Sequence, residues 1–77
     1  MDRLNAIRLL QALVAAGANS DVPMANAWIT KVALEIGLKG GEFYSALAYA
    51  GEQDWLDDNQ QEGWSALTSA GETFARS

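Results

Sequence analysis

The sequence predicts a single α+β domain over residues 1–77 that is mostly helical, and three observations carry this prediction. Three segments have apolar residues at helical spacing and end near glycine. Two short runs containing tryptophan flank a polar loop, a pattern typical of a β-hairpin. The chain has 77 residues, of which 49% are hydrophobic. That length and composition suit one domain with a single core.

The first helix is predicted over residues 3–16. Gly17 follows its last apolar residue and suits the left-handed backbone that ends many helices. The apolar residues expected on its buried face are Leu4, Ile7, Leu10, Leu13 and Val14.

The second helix is predicted to start at Pro23, because proline has the backbone φ of a first helical position. Gly37 should end this helix, and Leu38 should make the apolar contact that seals a glycine-capped terminus. Its expected buried face consists of Ala25, Trp28, Ile29, Val32, Ala33 and Ile36.

A third helix is predicted over residues 42–50, after a flexible turn at Gly40 and Gly41 and before an end near residues 51–53. Phe43, Leu47 and Ala50 share its expected buried face. Tyr44 and Tyr49 are five residues apart, so only one should be buried and the other is a candidate contact residue.

The last third of the chain predicts a hairpin and a short helix. Trp55 and Leu56 lead into a polar loop, and Trp64, Ala66 and Leu67 lead out of it. Thr68 or Ser69 is placed to cap the last helix, with Glu72 as a carboxylate near its N-terminus.

This order of elements resembles a winged helix-turn-helix domain of the kind found in bacterial and phage regulators. In residues 32–56 the resemblance depends on a small residue at a helix crossing, a glycine turn with leucine beneath it, and two apolar residues that position the next helix: Ala33, Gly37, Leu38, Phe43 and Leu47. In residues 63–75 it depends on the residues that close a wing, Trp64, Leu67, Thr68 and Gly71. The resemblance implies a three-helix core, a two-stranded wing and a short C-terminal helix.

The charge pattern argues against enzymatic chemistry and against simple DNA binding. The chain has a net charge of −5 and contains neither histidine nor cysteine, so the commonest general base and the thiolate nucleophile are missing. We therefore expect a non-enzymatic protein without cofactor or metal. Residues 40–63 contain six carboxylates and no basic residue, which would repel phosphates and attract basic partners.

The expected contact surface is the third helix together with the wing. Its candidate partner-binding residues are Glu42, Tyr44, Ser45, Tyr49, Asp57, Asp58, Glu62 and Trp64. If the domain binds DNA instead, Lys31 and Lys39 are the candidate phosphate contacts, with Arg3 a weaker third.

Two of these groups have competing interpretations. Asp57, Asp58 and Glu62 contain oxygen ligands for a divalent cation, but their spacing matches no calcium loop, so a solvated hairpin tip is favoured. The three tryptophans could form an aromatic cage. Core packing is favoured for Trp28 and Trp55, and a half-exposed anchor for Trp64.

The sequence is therefore compatible with two functions. The first is an interaction module that binds a basic protein, as a regulator, an adaptor or an inhibitor that mimics nucleic acid. The second is a DNA-binding transcriptional regulator that acts as a dimer or with a basic partner. A homodimer is compatible with both. Since no run of apolar residues is long enough for a membrane helix and Asp2 does not suit a signal peptide, we expect a cytoplasmic protein.

Overall fold

The computed structural model describes residues 2–58 and 60–77. Within them lie four helices and a three-stranded antiparallel sheet, so the α+β, mostly helical class is confirmed. The elements in chain order are α1 (Asp2–Ala15), β1 (Met24–Ala25), α2 (Asn26–Glu35), α3 (Gly40–Glu52), β2 (Leu56–Asp57), β3 (Trp64–Leu67) and α4 (Ser69–Arg76). Across the described residues, no helix is long and apolar enough to cross a bilayer.

Helix α1 packs against α2, α3 and α4 and forms the centre of the core. Its buried face differs from the predicted one, because Leu4 is 51% exposed while Ala6 and Leu9 are fully buried. Ile7 and Val14 are only partly buried at the edges of that face. The buried face centres on Ala6, Leu9, Leu10 and Leu13, so it is rotated around the helix axis from the predicted stripe through Leu4, Ile7 and Val14.

The start of α2 is the clearest correction to the predicted fold. The helix begins at Asn26, not at Pro23, because Met24 and Ala25 form strand β1 and pair with β3. The Asn26 N–H donates to the Gly63 carbonyl at 2.8 Å, so the hydrogen bonding between β1 and β3 continues into the first residue of α2. The backbone groups before the helix are therefore satisfied by the sheet, and the local preference of Pro23 is overridden.

The buried face of α2 is narrower than predicted. Ile29, Val32 and Ala33 are buried, but Trp28 and Ile36 are only partly buried against the core. Trp28 therefore lies at the edge of the core and not in its centre, which corrects its predicted role.

Two predicted helix ends are confirmed. Gly17 (φ +107°) and Gly37 (φ +82°) adopt the left-handed backbone conformation, which glycine adopts without strain. The Leu38 N–H closes the second of these turns by donating to the Ala33 carbonyl at 2.8 Å, and the Leu38 side chain is only 2% exposed. Leu38 thus seals the turn, as predicted.

Helix α3 begins at Gly40, two residues before its predicted start, so both glycines belong to its first turn. Phe43 and Ala50 are buried as predicted, and Leu47 is partly buried. The helix ends at Glu52, and Asp54 (φ +59°) takes the left-handed position that glycine takes after α1 and α2.

The predicted hairpin is present, with a third strand added to it. Strand β3 lies between β1 and β2, and Leu56 pairs with Leu67 in an antiparallel register. Trp55 is 7% exposed and stacks on Phe74 with ring centroids 4.6 Å apart, whereas Trp64 is 42% exposed. Core packing of Trp55 and partial exposure of Trp64 are therefore confirmed, while the role of Trp64 as an anchor for a partner stays a prediction.

The junction between β3 and α4 explains the predicted Thr68 cap. The Thr68 side-chain oxygen accepts the Gly71 N–H at 2.9 Å and its hydroxyl donates to the Asp54 carbonyl. The Thr68 N–H donates to the Trp55 carbonyl at 3.0 Å. A Cβ atom on Gly71 would overlap that same carbonyl, so only glycine fits there without movement.

Candidate functional site

A groove of about 1190 Å³ lies between α3, the hairpin and the start of α4. Helix α3 forms one wall, and the hairpin and the start of α4 form the other, with the first residues of α2 at one side. The lining residues include Tyr44, Leu47, Ala48 and Glu52 of α3, together with Asp54, Leu56, Asp57 and Asp58.

The groove is acidic. Glu52, Asp54, Asp57 and Asp58 line it, and among the described residues neither lysine nor arginine does. Glu52, Asp54 and Asp58 are exposed, whereas Asp57 is partly buried and accepts a hydrogen bond from Gln60 Nε2 at 3.1 Å. The groove therefore has a local negative potential without a neutralising group in its wall.

The three arginines are engaged elsewhere in the chain. Arg3 donates to the Tyr49 hydroxyl at 3.2 Å and lies 5.8 Å from the centre of the Trp55 ring, which is a cation–π contact. Arg8 donates to the Ile36 carbonyl at 2.9 Å, and Arg76 pairs with Glu72 at 3.3 Å. None of them lines the groove.

Lys31 and Lys39, the predicted phosphate contacts, are both exposed. Neither forms an ion pair with the described residues, and neither lines the groove. They are therefore available to a ligand but lie outside the concave acidic surface.

The structure brings only part of the predicted contact set together. Tyr44, Asp57 and Asp58 line the groove, and Tyr44 is 69% exposed. The other predicted contact residues lie outside it: Glu42, Ser45, Tyr49, Glu62 and Trp64. Their roles in partner binding stay predictions.

Of the two tyrosines, Tyr44 is the exposed one. Tyr49 is partly buried and packs beside Trp55, with ring centroids 5.8 Å apart. The prediction that only one tyrosine faces the core is confirmed, and Tyr44 is the better contact candidate.

Trp64 contributes to a different surface. It forms a shallow pocket of about 240 Å³ with Val22, Pro23, Gln60 and Gln61. Val22 is 59% exposed, so the pocket has an apolar rim separate from the acidic groove.

Two groove residues were missed as contact residues, namely Glu52 and Asp54. Glu52 follows Tyr44 by eight residues, just over two helical turns, so both lie on one face of α3. That spacing could have identified Glu52 from the sequence. The end of α3 at Glu52 agrees with the predicted end near residues 51–53, but the helix end alone does not show that Asp54 lines the groove.

Glu72 has a structural role outside the groove. Its Oε1 accepts the Ser20 backbone N–H at 2.6 Å, and this hydrogen bond, with a smaller contribution from Arg76, lowers the pKa of Glu72 below its usual value. Glu72 therefore connects α4 to the loop after α1, in addition to its predicted place in the first turn of α4.

The described residues contain no group of three or more acidic side chains placed to hold a metal ion. Comparisons with protein-family models, curated proteins and solved structures found no match. The geometry and charge of the chain's own residues are therefore the basis for a functional proposal.

Proposed function

We propose that this chain is a small, non-enzymatic winged-helix interaction module that binds a basic protein surface. In this proposal α1, α2 and α3 form the helix-turn-helix core and the β2–β3 hairpin is the wing. The element order, with β1 between the first two helices, supports that assignment. The acidic groove between α3 and the wing is the contact surface.

One observation carries the proposal: four carboxylates and an exposed tyrosine line a groove that contains no cation from the described residues. A phosphate backbone entering this groove would meet repulsion, because DNA binding depends on neutralisation of phosphates by lysine and arginine. A basic protein would meet complementary charge, which speeds association and selects partners.

The alternative is a DNA-binding regulator, and the exposed pair Lys31 and Lys39 favours it. Such a regulator would need cations from a second subunit or a partner to offset the groove carboxylates. The two functions differ in the sign of the effect when those carboxylates are neutralised.

The test uses a triple variant, Glu52→Gln, Asp54→Asn and Asp58→Asn, which changes the net charge from −5 to −2. A matched control, Asp2→Asn, Asp21→Asn and Glu35→Gln, makes the same charge change outside the groove. Asp57 is left unchanged because of its hydrogen bond to Gln60. Binding to duplex DNA and to a lysine- and arginine-rich polypeptide is measured at low and high salt.

We expect the groove variant to lose affinity for the basic polypeptide at low salt, with a smaller loss at high salt because of screening. The control should lose less. Tight DNA binding by the unmodified chain that strengthens in the groove variant would contradict the proposal and favour the regulator.

A further inference from the structure

We infer that the occupant of the acidic groove is an amphipathic helix of a basic partner protein, with its apolar side towards α3 and its cations towards Glu52, Asp54 and Asp58. This inference rests on the proposed function and specifies the form of the partner.

The size of the groove favours a segment of a macromolecule. Its volume of about 1190 Å³ exceeds the ~300–1,000 Å³ of a usual small-molecule pocket. Its walls come from α3, the hairpin and the start of α4, so an occupant would contact three elements at once. A protein segment is long enough to contact all three elements.

The distribution of side chains requires an occupant with two different faces. Tyr44, Leu47 and Ala48 present apolar surface along α3, with Leu47 only partly buried and Tyr44 69% exposed. The exposed carboxylates lie beyond this surface, at the end of α3 and at the hairpin. An apolar stripe flanked by lysine or arginine matches both parts, as in helix-in-groove recognition.

A helix is favoured over an added β-strand. The strand beside the groove, β2, has only two residues, Leu56 and Asp57, and lies at the edge of the sheet. So short an edge offers few free backbone groups to pair with an incoming strand. An occupant must therefore satisfy its own backbone hydrogen bonds, which a helix does.

Asp54 is the residue whose presence this occupant best explains. It has φ +59° at the end of α3, a position that glycine occupies after α1 and α2. A left-handed aspartate is less favourable than glycine there. Asp54 lines the groove, and its carboxylate would offer a cation of the partner a contact that glycine lacks.

The experiment uses two synthetic peptides of identical composition in leucine, lysine and arginine. One has the leucines at helical spacing along one face, and the other has them scrambled around the helix. Affinity is measured by calorimetry, and the contact surface by NMR shift changes in the chain. The variants are Asp54→Gly, Asp54→Asn and the control Asp21→Asn, an exposed aspartate outside the groove.

We expect the amphipathic peptide to bind at least about ten-fold more tightly than the scrambled one, a factor worth ~1.4 kcal/mol. Shift changes should centre on Tyr44, Leu47 and Ala48. Asp54→Gly should raise the melting temperature and yet weaken binding by about two- to five-fold, as for the loss of an exposed ion pair. Asp54→Asn should also weaken binding, and Asp21→Asn should not.

Failure of this inference is distinguishable from failure of the proposed function. If both peptides bound equally and the Asp54 variants weakened both alike, the partner would be basic but would not need to be an amphipathic helix. Shift changes centred on Val22 and Trp64, or affinities insensitive to Asp54, would overturn the groove as the site. Absence of peptide binding, together with DNA binding that strengthens in Asp54→Asn, would overturn both.

Discussion

At the scale of single residues, the backbone of Trp55 determines how the last helix joins the domain. Its carbonyl accepts the Thr68 N–H, and Gly71 packs directly against the same carbonyl. The Trp55 ring meanwhile stacks on Phe74 of α4. One residue thus fixes both the start of α4 and its packing, and it does so beside the groove residue Asp54.

Gly71→Ala should destabilise the fold although alanine is the better helix former. Its methyl group would overlap the Trp55 carbonyl, and forcing a group into a packed site costs ~1–3 kcal/mol. The control is Gly51→Ala in α3, where an added Cβ has no atom within 4 Å and should stabilise by ~0.5–1 kcal/mol. Urea denaturation measures the free energy of unfolding of both variants. An unchanged value for Gly71→Ala would show that α4 can move to make room for the methyl group.

Glu72 should contribute to the acid sensitivity of the fold. The Ser20 N–H lowers its pKa in the folded state below the unfolded value of 4.5, so its contribution is present above that value and is lost as the pH falls through the folded pKa. Glu72→Gln should therefore lower the melting temperature at neutral pH and have a shrinking effect in acid. Glu35→Gln, an exposed carboxylate on α2, controls for the removed charge. If the melting temperature of Glu72→Gln stayed below that of the unmodified chain by the same amount in acid, this prediction would be contradicted.

At the scale of elements, what the sequence predicts well is local. The glycine ends after α1 and α2 were predictable because the left-handed backbone belongs to the turn itself. The start of α2 was not, because β1 exists only through its pairing with β3, which lies about forty residues further along the chain. Long-range packing also limited the prediction of the site. Tyr44, Asp57 and Asp58 were among the predicted contact residues, but Asp54 was not, because the groove exists only where α3, the hairpin and the start of α4 come together.

Truncation of Leu38 should cost more than truncation of Trp28, although tryptophan is the larger residue. Leu38 is 2% exposed beneath the turn between α2 and α3, so Leu38→Ala should cost ~2–5 kcal/mol. Trp28 lies at the edge of the core, so Trp28→Ala should fall below the ~3–5 kcal/mol of a fully buried tryptophan. Chemical denaturation ranks the two variants, and the reverse order would place Trp28 in the core.

At the scale of the whole molecule, the arginines lie away from the carboxylates of the acidic groove. Arg3, Arg8 and Arg76 contact the chain's own aromatic rings, a helix end and Glu72. The groove carboxylates have no lysine or arginine beside them in its wall. The groove therefore concentrates negative charge at one surface, and we expect a repulsion between its carboxylates that can be measured on the chain alone.

The triple variant Glu52→Gln, Asp54→Asn and Asp58→Asn should melt at a higher temperature than the unmodified chain at low salt, because three like charges that line one groove are removed. The gain should shrink at high salt, where screening already weakens the repulsion across the groove. The control Asp2→Asn, Asp21→Asn and Glu35→Gln removes the same charge from scattered positions and should gain less. The measurement compares the melting temperatures of all three proteins at two salt concentrations. Equal gains for the two variants would mean that only the net charge of −5 acts, and the groove would then hold no concentrated field for a basic helix to meet.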